Sequence, residues 1–292
     1  MPAPLLILCP MRSFSSVVCA MIGQHPQAYG LPEVNLFIAD NVGELLRIHA
    51  PRPHGMHGLL RTLAQLENGE QTDESVKAAR AWLEARKDWT TKQVFDHILA
   101  AVEPLVAVDK TPRTVLRPEC LERAYAIYPD ANFLHLTRHP RSTGKSLISN
   151  LKRNAEWGGT FSADRVDPQG IWLKAHTNIT QFAATLPEGQ CLRIKGEDLL
   201  SDPALYLPQI AEWLGLDPGA EAIEAMLHPE QSPYACYGPE EAKFGNDPEF
   251  LEKPAFRASR VREPALAGAL DWAPDREFDK PTVKLSRELG YA

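Results

Sequence analysis

Five residues near the start of the chain, Arg12-Ser13-Phe14-Ser15-Ser16, combine a guanidinium with three hydroxyls. They follow the apolar run "LLILC" at 5–9 and lead into an apolar helical pattern from Val17. A turn between a buried strand and a helix exposes unpaired N–H groups at the positive end of the helix dipole, so it can cradle a phosphate. Arg12 would add a fork of donors. The same residues would also serve as a capped helix start beside an exposed arginine. Phe14 stands where a phosphate loop normally carries glycine.

A second set lies in "LHLTRHPRSTGKSLISN" (134–150). Arg138 follows a buried strand, and Ser146 comes eight residues later on the next helix. The two can converge on one anion at the carboxyl edge of a sheet, where ligands bind in open α/β folds; alternatively, Arg138 pairs with a surface carboxylate. The embedded "STGKS" imitates the end of a nucleotide-binding GxxxxGK[ST] loop, but His139 occupies the position of the first glycine. Pro140 also marks a helix already begun. In "AVDKTPRT" a strand delivers Asp109 and Lys110 to its end, Lys110 being either a surface charge or a cation aimed at the same crevice. Glu197 and Asp198, in "RIKGEDLLSDP", are expected to stabilise loops. In "GQHPQAYGLPEVNLF", Glu33 is expected to open a helix, where the dipole favours a carboxylate. It would approach the first loop if "AYGL" pairs beside the first strand.

These residues need a scaffold. The runs 5–9, 105–109 and 132–137, with a weaker one at 191–194, read as buried strands. Stretches of helical spacing at 17–24, 34–48, 59–66, 75–87, 94–102, 119–127, 142–151, 171–186 and 204–214 separate or follow them. Alternation of this kind predicts a parallel, doubly wound α/β sheet. The chain reads as one domain, 1–292, with a helical insertion at 34–102 and an irregular wrapping tail at 217–292. A net charge of −7 argues against a general nucleic-acid binder. No apolar run approaches the roughly 20 residues of a membrane span. Five dispersed cysteines without a CxxC pair speak against zinc and for reduced thiols in a cytoplasmic protein. Cys9 and Cys19 read as buried thiols, not nucleophiles.

Taken in order, these stretches resemble the sulfotransferase superfamily that uses 3′-phosphoadenosine 5′-phosphosulfate (PAPS). They are most similar to bacterial members and to the tyrosylprotein and polyketide-pathway enzymes. The first loop resembles the family's P-[RK]-S-G-[ST]-[ST], and "RHPRSTGKSLIS" its R-[DH]-P-x5-S. "DKTP", "EDLLSDP…WLGL" and "GNDPEF" (245–250) resemble further family blocks. The resemblance implies a P-loop-like sulfotransferase fold, with a central parallel sheet flanked by helices. It implies that Arg12, Ser13, Phe14, Ser15 and Ser16 hold the 5′-phosphosulfate and that Arg138 and Ser146 hold the 3′-phosphate. Lys110, with Arg12, would stabilise the sulfuryl group in transfer, and adenosine 3′,5′-bisphosphate would be released. Glu33 would be the general base, with His54 and His57 as alternatives because other sulfotransferases use histidine. His25 and His135 are expected to pack. No metal is implied, and the acceptor, a hydroxyl or amine, is not specified. Phe14 departs from the family's glycine. The rival expectations are a P-loop kinase or phosphotransferase, which would need Mg²⁺ and ATP, and a non-catalytic nucleotide-binding relative.

Overall fold

The computed structural model describes residues 1–156, 166–256 and 263–292. Leu5–Leu8 (β1) is buried throughout, as a strand covered on both faces must be. Leu6 and Leu8 join one apolar cluster while Leu5 and Ile7 join the other, following the two-residue period of a strand. Ala28–Gly30 (β2), Val106–Lys110 (β3), Asn132–Thr137 (β4) and Cys191–Lys195 (β5) complete the sheet. All pairings are parallel and the order is β2-β3-β1-β4-β5.

"AYGL" therefore does not lie beside the first strand. Its residues 28–30 form β2, which pairs with β3, so β3 stands between it and β1. This correction matters for chemistry. The register sets Lys110, the last residue of β3, opposite Ile7 of β1, with the loops after β1 and β2 on either side.

The helices, in chain order, are Ser15–Gly23 (α1), Val42–His49 (α2), His57–Asn68 (α3), Asp73–Glu84 (α4), Thr91–Val102 (α5), Pro118–Ile127 (α6), Pro140–Glu156 (α7), Pro168–Ala183 (α8), Gly196–Ser201 (α9), Pro203–Trp213 (α10), Ala220–Met226 (α11), Pro248–Glu252 (α12) and Lys280–Glu288 (α13). Residues from α2–α6 and α8 fill the cluster on one face of the sheet. Residues from α1 and α9–α11 fill the other. Helices on both faces of a parallel sheet are the two-sided α/β arrangement.

The helix expected over 34–48 is broken. Asn35 takes a left-handed backbone (φ 55°), Leu36–Ile38 makes one 3₁₀ turn, and α2 starts afresh at Val42. The Asn41 side chain accepts from the Glu44 N–H at 2.9 Å and caps α2. Apolar spacing ran across this break because both halves face the same core.

The tail beyond Leu216 is mostly irregular but carries α11, α12 and α13. Several of its residues are tied to the sheet's carboxyl edge. Arg141, in the first turn of α7, donates to the carbonyls of Ala265, Leu266, Ala267, Gly268 and Ala269 at 2.5–3.4 Å. Tyr291 places its hydroxyl 2.9 Å from Thr137 Oγ1 and 3.1 Å from Glu197 Oε2. Among the described residues, no helix is long and apolar enough to cross a membrane.

Candidate active site

Lys110 is completely buried, and a buried ammonium requires partners. It has two, one from each flanking loop. Nζ donates to Ser16 Oγ at 2.9 Å and to Glu33 Oε1 at 2.9 Å. Glu33 keeps 33% of its side chain exposed, so the carboxylate faces both the buried cation and open space.

Glu33 does not open a helix. It lies in the extended loop after β2, and its own N–H donates to the Gly245 carbonyl at 2.8 Å. Gly58, at the start of α3, packs against the Glu33 carbonyl so closely that a Cβ would not fit. Asn35 holds the other end: its N–H donates to Thr111 Oγ1 at 3.3 Å and its Nδ2 to the Gly55 carbonyl at 2.9 Å. Thr111 in turn donates to Asp109 at 3.1 Å. Burial pushes the Asp109 carboxyl up to about 7, partly opposed by the Thr111 bond and the Lys110 charge. The sequence brought Glu33 to the first loop only through a pairing of "AYGL" beside the first strand, which the fold does not have, and it singled out neither Asn35 nor the Thr111 hydroxyl as supports.

The first loop is bent at two non-glycine residues, Arg12 (φ 67°) and Phe14 (φ 64°). A left-handed backbone costs such residues about 1–2 kcal/mol each, and persists only where neighbours over-determine it. For Phe14 those neighbours are visible. The Arg138 guanidinium lies 4.0 Å from the ring centroid, and a Cβ added to Gly196 would come within 2.5 Å of Phe14 Cδ2. The ring is seated between the two. Arg138 also donates to the Arg12 carbonyl at 2.6 Å, and burial brings its pKa down to about 10.

The sequence paired Ser146 with Arg138; in the structure Ser146 Oγ accepts from Arg12 Nε at 3.0 Å, while Arg138 bonds the Arg12 carbonyl. The rest of the Arg12 fork faces two acids, Glu249 Oε2 at 2.6 Å and Asp247. Neither acid was singled out by sequence, although the block "GNDPEF" that carries them was. Ser15 begins α1, and Ser13 is wholly buried. Among the described residues, Ser13 Oγ, Arg138 Nε, His139 Nε2 and Thr143 Oγ1 are buried with no hydrogen-bond partner. Unpaired buried polar atoms are uncommon, and these four belong to the first loop and to the β4–α7 junction. Of the residues that carry them, Arg138 lines a cleft of about 340 Å³, together with Arg12, Phe14, Ser16, Glu249 and Phe256 among others.

Glu197 serves as a loop tie. Its carboxylate accepts from the His139 N–H at 2.8 Å and from Tyr291, and burial raises its pKa. Gly144 and Lys145 lie inside α7, so "STGKS" forms no phosphate loop. His57 accepts from the Phe244 N–H through Nδ1 and stacks on that ring; burial lowers its pKa to about 4. His54 is exposed and packs edge-on against His57. His25 binds the Asp217 carbonyl at 2.8 Å and His135 meets His176 at 2.9 Å, both within packed regions. Burial lifts the Cys9 and Cys19 thiols to about 12, which keeps both un-ionised.

A parallel sheet with basic residues converging at its carboxyl edge, beneath a strained strand-to-helix loop, defines a P-loop-like group-transfer fold. Residues 4–219 match the Sulfotransferase family, and the chain belongs to that family. It is similar in structure to the sulfotransferase domain from the curacin biosynthetic pathway (TM-score 0.79, 23% identity, covering 100% of this chain and 99% of that one). It is also similar to the sulfotransferase domain of the Synechococcus PCC 7002 olefin synthase (TM-score 0.75, 24% identity, covering 100% and 95%). No curated protein matches the sequence.

Proposed function

We propose that this sulfotransferase moves a sulfuryl group from PAPS to a hydroxyl or amine acceptor by in-line transfer, with Glu33 as general base. The observation that carries the reading is the Lys110 ammonium, bonded at once to Ser16 of the first loop and to Glu33 of the loop after β2. One cation thus touches the groups assigned to donor and to acceptor.

Arg138 fits the donor: it lines the cleft, and its Nε, like the nearby buried Ser13 Oγ, His139 Nε2 and Thr143 Oγ1, has no partner among the described residues. Arg138 Nε leaves hydrogen-bonding capacity where a donor phosphate would be held. Ser13, Ser15 and Ser16 with the N–H groups of α1 would take the 5′-phosphosulfate, and Arg138 with Ser146 the 3′-phosphate. PAPS supplies an activated sulfuryl group. Glu33 accepts the acceptor's proton as the acceptor oxygen or nitrogen bonds to sulfur. Lys110 and Arg12 counter the charge on the sulfuryl oxygens and on the bridging oxygen, which keeps the bonding electron pair as its bond to sulfur breaks. Positioning and fixed charge supply most of the rate in such a transfer.

Residues 34–102 form the acceptor wall in this reading, the tail from 217 wraps a single domain, and the setting is cytoplasmic. Two experiments test the core of it. Adenosine 3′,5′-bisphosphate should raise the melting temperature where ATP with Mg²⁺ does not. Labelled PAPS should give up its sulfate to an acceptor in a mixed hydroxyl and amine panel. Stabilisation by ATP alone would refute the donor assignment.

A further inference from the structure

Arg12 is 92% enclosed, its side chain being 8% exposed. Its charge is already matched from within. Glu249 lies 2.6 Å from one terminal nitrogen and Asp247 meets the other. The segment that brings them is anchored to the same loop, because the Asp247 N–H donates to Ser16 Oγ at 3.1 Å. Asp247 also caps α12, accepting from the Glu249 N–H at 3.0 Å, so the two acids move as a unit. On the outer side, Arg153 reaches Glu249 at 3.3 Å and Glu252 at 3.9 Å. Carboxylates thus stand against the cation assigned to an anionic donor, and Glu249 lines the cleft beside Phe14 and Arg138.

We infer that Asp247 and Glu249 are internal counter-ions that set donor affinity and selectivity, occupying Arg12 until the donor's 5′-anion replaces them. The inference rests on the donor reading above. A 5′-phosphate or phosphosulfate brought to this guanidinium would stand directly against the two carboxylates. Like charges brought together in a shielded site repel strongly. Binding therefore exchanges one set of anions for another, and only a ligand with dense charge at its 5′ end can do so. Arg153 offers the displaced Glu249 a second cation.

The experiment compares two nucleotides on two proteins by calorimetry: adenosine 3′,5′-bisphosphate and adenosine 3′-monophosphate, on the parent chain and on the Asp247→Asn/Glu249→Gln variant. Asparagine still caps α12, and Glu249→Gln alone, at a half-exposed side chain, is the control for folding. The bisphosphate should bind the variant about tenfold tighter or more, and the 3′-monophosphate within about twofold of the parent. Unchanged or weaker bisphosphate binding by both variants overturns the inference. So does equal tightening of both nucleotides, which would mean only a general change in charge. If neither nucleotide binds either protein, the donor reading falls, and the inference with it.

Discussion

The Arg138 guanidinium rests on the face of Phe14, 4.0 Å from its centroid, and holds the Arg12 carbonyl at 2.6 Å. The residue that departs from the family's glycine thus supports the arginine assigned to the donor's 3′-phosphate. A cation over an aromatic face gains about 0.5–2 kcal/mol, which offsets much of the cost of a left-handed backbone at residue 14. Arg138→Ala should raise the Kd for adenosine 3′,5′-bisphosphate by about tenfold or more. Calorimetry checks this, and a shift below about threefold would remove Arg138 from the donor site.

The seat of Phe14 depends on a missing side chain. Gly196→Ala drives a methyl group towards Phe14 Cδ2 and should cost about 1–3 kcal/mol in urea unfolding. Phe14→Gly in the same chain should restore most of that loss. A double variant as unstable as Gly196→Ala alone would show that the clash lies elsewhere.

Glu33→Gln keeps the shape of the side chain and removes its basicity. Sulfate transfer should fall by about 10²–10⁴ in kcat, with binding of adenosine 3′,5′-bisphosphate retained. Losing the counter-ion of buried Lys110 should also cost roughly 1–3 kcal/mol of stability. Unchanged turnover would shift attention to His54, since His57 is turned into its contact with Phe244.

Asp109 gives a pH signature. Burial raises its carboxyl from 3.8 to about 7. Below about pH 4 it is protonated in the folded and unfolded chain alike. Between there and about 7 the unfolded chain releases the proton while the folded chain keeps it, so stability falls as pH rises through that window. Asp109→Asn removes this slope. The variant's melting temperature should gain on the parent's steadily from pH 4.5 to 7.5, and a gap independent of pH would contradict the assignment.

Much of this was legible in local pattern. The runs at 5–9, 105–109 and 132–137 are apolar on both faces because both faces are covered; Lys110 and Arg138 follow the last two directly, and Arg12 follows the first after Pro10-Met11. What local pattern lacks is neighbour order. Nothing in "AYGL" says that β3 lies between it and β1, so the family resemblance could put Ser16, Lys110 and Glu33 in one site but could not show Lys110 standing between the other two. Asn35 was hidden for a different reason. A single left-handed residue breaks a helix without disturbing the apolar spacing on either side. The pairing of Arg12 with Glu249 spans 237 residues and depends on how the tail folds back, which no short-range signal encodes.

β2 and β3 are sheet neighbours, yet the chain between Gly30 and Val106 makes one long excursion before it returns. The sheet therefore closes behind residues 31–105, whose apolar residues cover one of its faces. The groups assigned to the donor, Arg12 to Ser16 and Arg138 to Ser146, all lie outside that excursion. A differently shaped excursion, spliced in at those two points with the Glu33 turn kept, would leave the nucleotide end of the machine untouched. In the proposed reading, acceptor diversification on this scaffold proceeds by cassette, through one stretch that keeps its sheet-covering apolar residues, while the donor end stays constant.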